Sequence, residues 1–161
     1  MVFLVRFGQI STEIQPPRAE TWQWRVTSAE EMAAAPSLAL ILAREFAANV
    51  ATPFLVLDRE GTLVYFNEHA ERLIGSTPGE LCPLPESEWR QRFSIERLDG
   101  TMVADEEAPS ATSRRERRPV HETLVYTGLD GKRRVLEVTA TPLLGRGDAL
   151  EGVFLLLWEV A

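Results

Sequence analysis

The chain has 161 residues, enough for one domain with a real hydrophobic core plus an extension. Its formal net charge is −7, so nothing draws the whole molecule toward nucleic acid or an anionic membrane. Cys82 is the only cysteine, which excludes an intramolecular disulfide and fits a reducing compartment.

Residues 1–36 differ in texture from the rest. "VFLVRF" and "TWQWRV" read as strands, and "QPPR" breaks the regular structure between them. Ser28 with Glu31 forms a capping box for a short helix. The start lacks the long apolar run and small-residue cleavage site of a signal peptide. The longest apolar tract, Leu38 to Leu57, is interrupted by Arg44, Glu45 and Asn49, against a membrane span. The expectation is a soluble cytoplasmic protein, with residues 1–36 as an extension that packs on the main domain or on a partner.

Residues 37–49 are expected to form an amphipathic leading helix. Leu38, Ile41, Leu42 and Phe46 recur at i, i+3, i+4 and i+8, one apolar stripe that has to bury on its own sheet or on a second copy of the chain. The remainder, 50–161, reads as one domain. Pro53 to Asp58 and Thr62 to Phe66 are antiparallel strands joined by "DREG". Asn67 caps a helix over Glu68 to Leu73, and Gly75 ends it. "STPGEL" allows one more short turn.

The segment "CPLPESEWRQRFSIERLDG" reads as irregular, with Trp89 and Phe93 four residues apart and able to anchor a short helix. Asp105 to about Arg115 reads as a helix with acids first and arginines last, the order the helix dipole favours. Val120 to Gly128 and Arg133 to Leu143 form a second hairpin around Asp130-Gly131. Val153 to Val160 is apolar on both faces and reads as a central strand. The order is helix, two strands, a helical middle, three strands: an α+β fold with an antiparallel sheet.

Four stretches in this order resemble the PAS sensory domain family over about residues 45–160. They are "FLVLDREGTLVYFNEHAERLIG", "LDGTMVADEEAPSATSRRERRPV", "TGLDGKRRVLEVTATPL" and "GVFLLLWEV". In the first, Asp58, Gly61, Asn67, Ala70 and Gly75 fall on the family's usual residue types. The resemblance implies a curved five-stranded antiparallel sheet with short helices on one face and an apolar cavity between them. It implies a sensor that binds a small ligand there and relays it through contacts with a second copy or a signalling partner. The alternative is a ligand-free interaction and dimerisation module whose own side chains fill the cavity.

The expected pocket residues are Val56, Phe66, Leu73, Trp89, Phe93, Leu136, Val138 and Phe154, although strands apolar on both faces leave their parity open. The expected interface residues are Leu38, Ile41, Leu42 and Phe46, and the expected assembly is a homodimer. No cofactor is required by the residues, and the ligand is an unknown small molecule. Light-sensing relatives carry an Asn-Cys-Arg-Phe run where this chain has "ELCPLPE", against a flavin adduct at Cys82. His69 and His121 lie in different elements, and His121 is too late for the family's haem position.

Neither nucleic acid nor a metal is expected as a partner: "RRERRPV" has no interleaved aromatics, and no metal-ligand spacing occurs. Asp105, Glu106 and Glu107 diverge around a helix rather than converge, so no catalytic pair is expected either. Trp158 is expected in the core. The chain stops at Ala161, where the resemblance implies a helix running on to a kinase, cyclase or transcription effector. A stand-alone protein and a fragment of a longer one both stay open.

Overall fold

The structure, a computed structural model, describes residues 37–160. The strands and helix expected before residue 37, with Trp22 and Trp24, lie outside the described residues. Helix α1 (Leu38–Ala48) is capped by the Ser37 hydroxyl, which accepts from the Leu40 amide. Strands β1 (Phe54–Asp58) and β2 (Leu63–Phe66) follow as a hairpin. Its turn is held by the Asp58 carboxylate, which accepts from the amides of Glu60 and Thr62.

Helix α2 (Glu68–Ile74) starts on Asn67 and stops at Gly75, whose φ of 84° is the left-handed conformation that favours glycine. Helix α3 (Pro78–Leu81) is a single turn with a Thr77–Glu80 capping box, and α4 (Glu86–Arg92) carries Trp89. Beyond β3 (Ser94–Glu96) and a 3₁₀ turn at Asp105–Glu107 comes α5 (Pro109–Glu116). Strands β4 (Val120–Thr127), β5 (Arg133–Leu144) and β6 (Leu150–Glu159) complete the chain.

The sheet is antiparallel in the order β2-β1-β6-β5-β4-β3, with β6 central as its two-sided apolarity implies. It has six strands rather than five. The extra one, β3, lies inside the stretch read as irregular and pairs Ile95 with Tyr126 of β4. Three residues at a sheet edge are too few to show a period of two, and the prolines upstream hid it.

Strand alternation divides the apolar residues between two faces. On the inner face Leu55, Leu57, Leu155 and Leu157 join Leu136 and Val138 beneath α2, α4 and α5. On the outer face Phe54, Val56, Phe154 and Leu156 pack against α1, with Phe54 and Phe154 stacked at 5.0 Å between ring centroids. Among the described residues, the leading helix covers this outer face. It does so with Leu40, Ala43 and Ala47, which are buried; the two alanines let the helix axis lie close over the phenylalanines.

Leu38, Ile41 and Leu42 consequently point away from the sheet, at 69%, 43% and 58% exposure, while Phe46, 60% exposed, sets its ring edge-on against Phe54 at 5.7 Å between centroids. Trp158 is also turned out, 43% exposed beside the buried Leu157, which corrects the expectation of a core residue. Among the described residues no helix is long and apolar enough to cross a membrane.

Candidate functional site

Between the inner sheet face and the helices lies an apolar cavity of about 70 Å³. Four strands supply one wall: Leu55 and Leu57, Leu155 and Leu157, Leu136 and Val138, Leu124 and Tyr126. Ile74 of α2 and the Trp89–Phe93 pair close it from above, with Ala108, Pro109 and Ser110 at the start of α5. Trp89 is held by its indole N–H, which donates to the Gly61 carbonyl at 3.0 Å. Phe93 leans on the Tyr126 ring, 5.7 Å between centroids.

Four of the eight expected pocket residues, Trp89, Phe93, Leu136 and Val138, line this space. Phe66 and Leu73 belong to the same inner core without reaching the cavity. Val56 and Phe154 lie on the opposite face under α1, so they are not pocket residues. The inner members of their strands, Leu55, Leu57, Leu155 and Leu157, hold those positions instead. The parity was hidden because both sets are large and apolar. Ile95 was missed along with its strand.

One buried polar side chain organises the surroundings. Asn67, 2% exposed, accepts through Oδ1 from the amides of Phe54 and Ala70, both at 3.1 Å. Its Nδ2 donates toward the carbonyls of Ala47 and Val50 at 3.0 Å and Thr52 at 2.8 Å. Three acceptors share two hydrogens. A single residue thus ties the end of α1, the linker, β1 and the start of α2 together. From sequence it reads only as a helix cap.

The other conspicuous residues lie away from the cavity. Cys82 is half-buried, and burial pushes its thiol up to about 11, so little thiolate forms at neutral pH. His69 reaches toward Glu68 at 3.7 Å, and exposed His121 contacts the Thr139 hydroxyl at 2.8 Å. Neither histidine lines the cavity. In the arginine run, Arg114 donates to Glu86 at 2.8 Å and Arg115 to the Glu106 carbonyl at 2.7 Å. Glu107 pairs with Arg97 at 2.7 Å. These charges are tied within the chain, a helix end laced to its neighbours.

The β4–β5 turn clasps the end of α2. A Cβ at Gly128 would stand 2.3 Å from the Leu73 carbonyl oxygen, so only glycine fits this approach. Asp130 accepts from Arg134 at 2.6 Å and from the Lys132 amide at 3.1 Å, which holds its carboxyl down at about 2. The folded value is depressed below the usual carboxylate value of about 3.9, so this contribution is complete above about pH 4 and is lost as pH falls through about 2. Urea midpoints across that range are expected to fall more steeply for the natural chain than for Asp130→Asn. Equal slopes would show that the pair contributes nothing to folding.

The arrangement defines an α+β domain wrapped around a small apolar cavity, with a helix clamped on the far side of the sheet. Residues 47–161 match the family described as the PAS fold, and the chain belongs to it. Solved structures agree at the level of the fold. The PAS domain of a protein from Colwellia psychrerythraea is 15% identical with a TM-score of 0.55, over 75% of this chain and 96% of that one. The LOV protein of Rhodobacter sphaeroides gives 17%, 0.57, 78% and 69% in the same order. The PAS domain of nitrogen regulation protein NR(II) from Vibrio parahaemolyticus gives 19%, 0.53, 74% and 98%. No curated protein sequence matches significantly.

Proposed function

We propose that this chain is a PAS-type signal-sensing domain that holds a small ligand in the apolar cavity and relays its presence through α1 to a second copy of the chain. One observation carries the reading. Strands β1 and β6 present Leu55, Leu57, Leu155 and Leu157 to the cavity and Phe54, Val56, Phe154 and Leu156 to α1. A ligand that displaces the inner residues also moves the bed of the relay helix, because close-packed layers transmit displacement rather than absorb it.

The exposed stripe of α1 supplies the contact with the second copy. Leu38, Ile41 and Leu42 stay exposed, Phe46 stays 60% exposed despite its edge contact with Phe54, and their spacing suits a helix pair. The protein is expected to be a dimer by light scattering. Leu42→Glu is expected to yield a folded monomer whose unfolding free energy lies within about 0.5 kcal/mol of that of the natural chain diluted to its monomeric state. A monomeric natural chain would remove α1 as the relay surface.

The size of the cavity favours a second reading. At about 70 Å³ it is far below the ~300 Å³ at which pockets for drug-sized ligands begin. A domain whose side chains nearly fill its core works as an interaction module through the same α1 stripe. Native mass spectrometry of protein purified without additives separates the two: a non-covalent mass excess supports sensing, and bare protein that stays indifferent to every added small ligand supports the module.

A further inference from the structure

We infer that the cavity admits only an uncharged, nonpolar molecule of about two or three heavy atoms, of the size of a dissolved gas, and no ring cofactor or charged metabolite; this rests on the sensing reading above. Volume sets the upper bound. About 70 Å³ is less than half of the ~150 Å³ cavity known to accept benzene.

Polarity sets the class. Of the lining side chains only Trp89, Ser110 and Tyr126 carry polar atoms, and no carboxylate, ammonium, guanidinium, thiol or imidazole is among them. The Trp89 N–H is already given to the Gly61 carbonyl. A carboxylate or phosphate entering here would lose its hydration with no charged partner to replace it. A molecule without polar atoms gives up almost nothing.

The walls resist enlargement. Swinging Trp89 aside would break its bond to Gly61 and strip the β1–β2 turn of its cover. Phe93 would have to leave the Tyr126 ring, whose backbone is held in the β3–β4 pairing opposite Ile95.

Xenon is the probe. Methyl NMR spectra of the full chain under increasing xenon pressure are expected to shift at Ile74, Leu136 and Val138 and to saturate. Ala108→Val projects added methyl groups into the space and is expected to weaken that response at least tenfold. Val138→Ile serves as a second filled variant should the first fail to fold. Absence of xenon shifts in the natural chain overturns the inference, as does an undiminished response in a folded filled variant. A co-purified non-covalent ligand heavier than a small gas overturns it too. Saturable xenon shifts with α1 resonances and oligomeric state unchanged leave the ligand class standing and overturn the sensing reading alone.

Discussion

Asn67→Ala is expected to lower the unfolding free energy by about 3–4 kcal/mol, near the upper end for a single substitution. The helix cap accounts for about 1 kcal/mol of this. The remainder comes from groups that lose a partner: the buried Phe54 amide on one side, and the half-buried carbonyls of Val50 and Thr52 on the other, while the Ala47 carbonyl keeps the Val50 amide. Each unsatisfied buried group costs about 1–3 kcal/mol, reduced where water can enter after the change. Urea unfolding measures the total, and a loss below about 1 kcal/mol would mean that the linker is held by other contacts.

Asn67→Asp separates the two halves of this role. The carboxylate keeps both acceptor bonds but points an oxygen at carbonyls that need a donor, so at neutral pH it is expected to be no more stable than the alanine variant. Those carbonyls raise the folded pKa of the new acid, because only its protonated form can donate to them. Its stability is therefore greatest below the ordinary carboxylate pKa and falls as pH rises through the raised folded value. Hydrogen exchange should show α1 opening first in both variants, since Asn67 is the buried polar tie between that helix and the inner layer.

Trp89→Ala is expected to cost about 3–5 kcal/mol, the range for removing a large aromatic from a core. Trp89 is buried, closes the cavity from above and covers the β1–β2 turn. Its removal joins the space of an indole to the existing cavity. Added indole is therefore expected to raise the melting temperature of the variant and leave the natural chain unchanged. Trp89→Phe keeps the packing and loses the bond to Gly61, for a cost of about 1–2 kcal/mol. An alanine variant indifferent to indole would mean that α4 collapses into the gap, and that the cavity roof is soft rather than fixed.

Local signals in the sequence were strong wherever one residue type has one physical use. Asp58 and Asn67 at a turn and a cap, Gly75 at a helix end and Asp130-Gly131 in a hairpin all act through bonds to neighbours a few positions away. The order of elements and the family followed from these marks. Half of the pocket was legible as well. Trp89 and Phe93 stand in a short helical stretch with one apolar side, and Leu136 and Val138 lie on a strand whose alternation is clear.

Two features were settled by tertiary structure alone. One is the parity of β1 and β6, where "FLVL" and "FLLLW" are apolar at every position, so nothing local tells an inward residue from an outward one. The decision came from placing α1 over one face and the cavity behind the other, which sent Val56 and Phe154 to the helix. The other is the orientation of α1. Leu38, Ile41, Leu42 and Phe46 make the more visible stripe, yet Leu40, Ala43 and Ala47 are the ones buried, with the two alanines set where the helix lies over the stacked phenylalanines.

The sequence by itself thus determined the elements, their antiparallel order and the sensory-domain family. It did so through turn, cap and strand chemistry that reaches no further than a hairpin. Only the packed structure decided which side chains meet across the sheet, how little space they leave and which helix face stays exposed, because shape complementarity between layers is a property of pairs of surfaces.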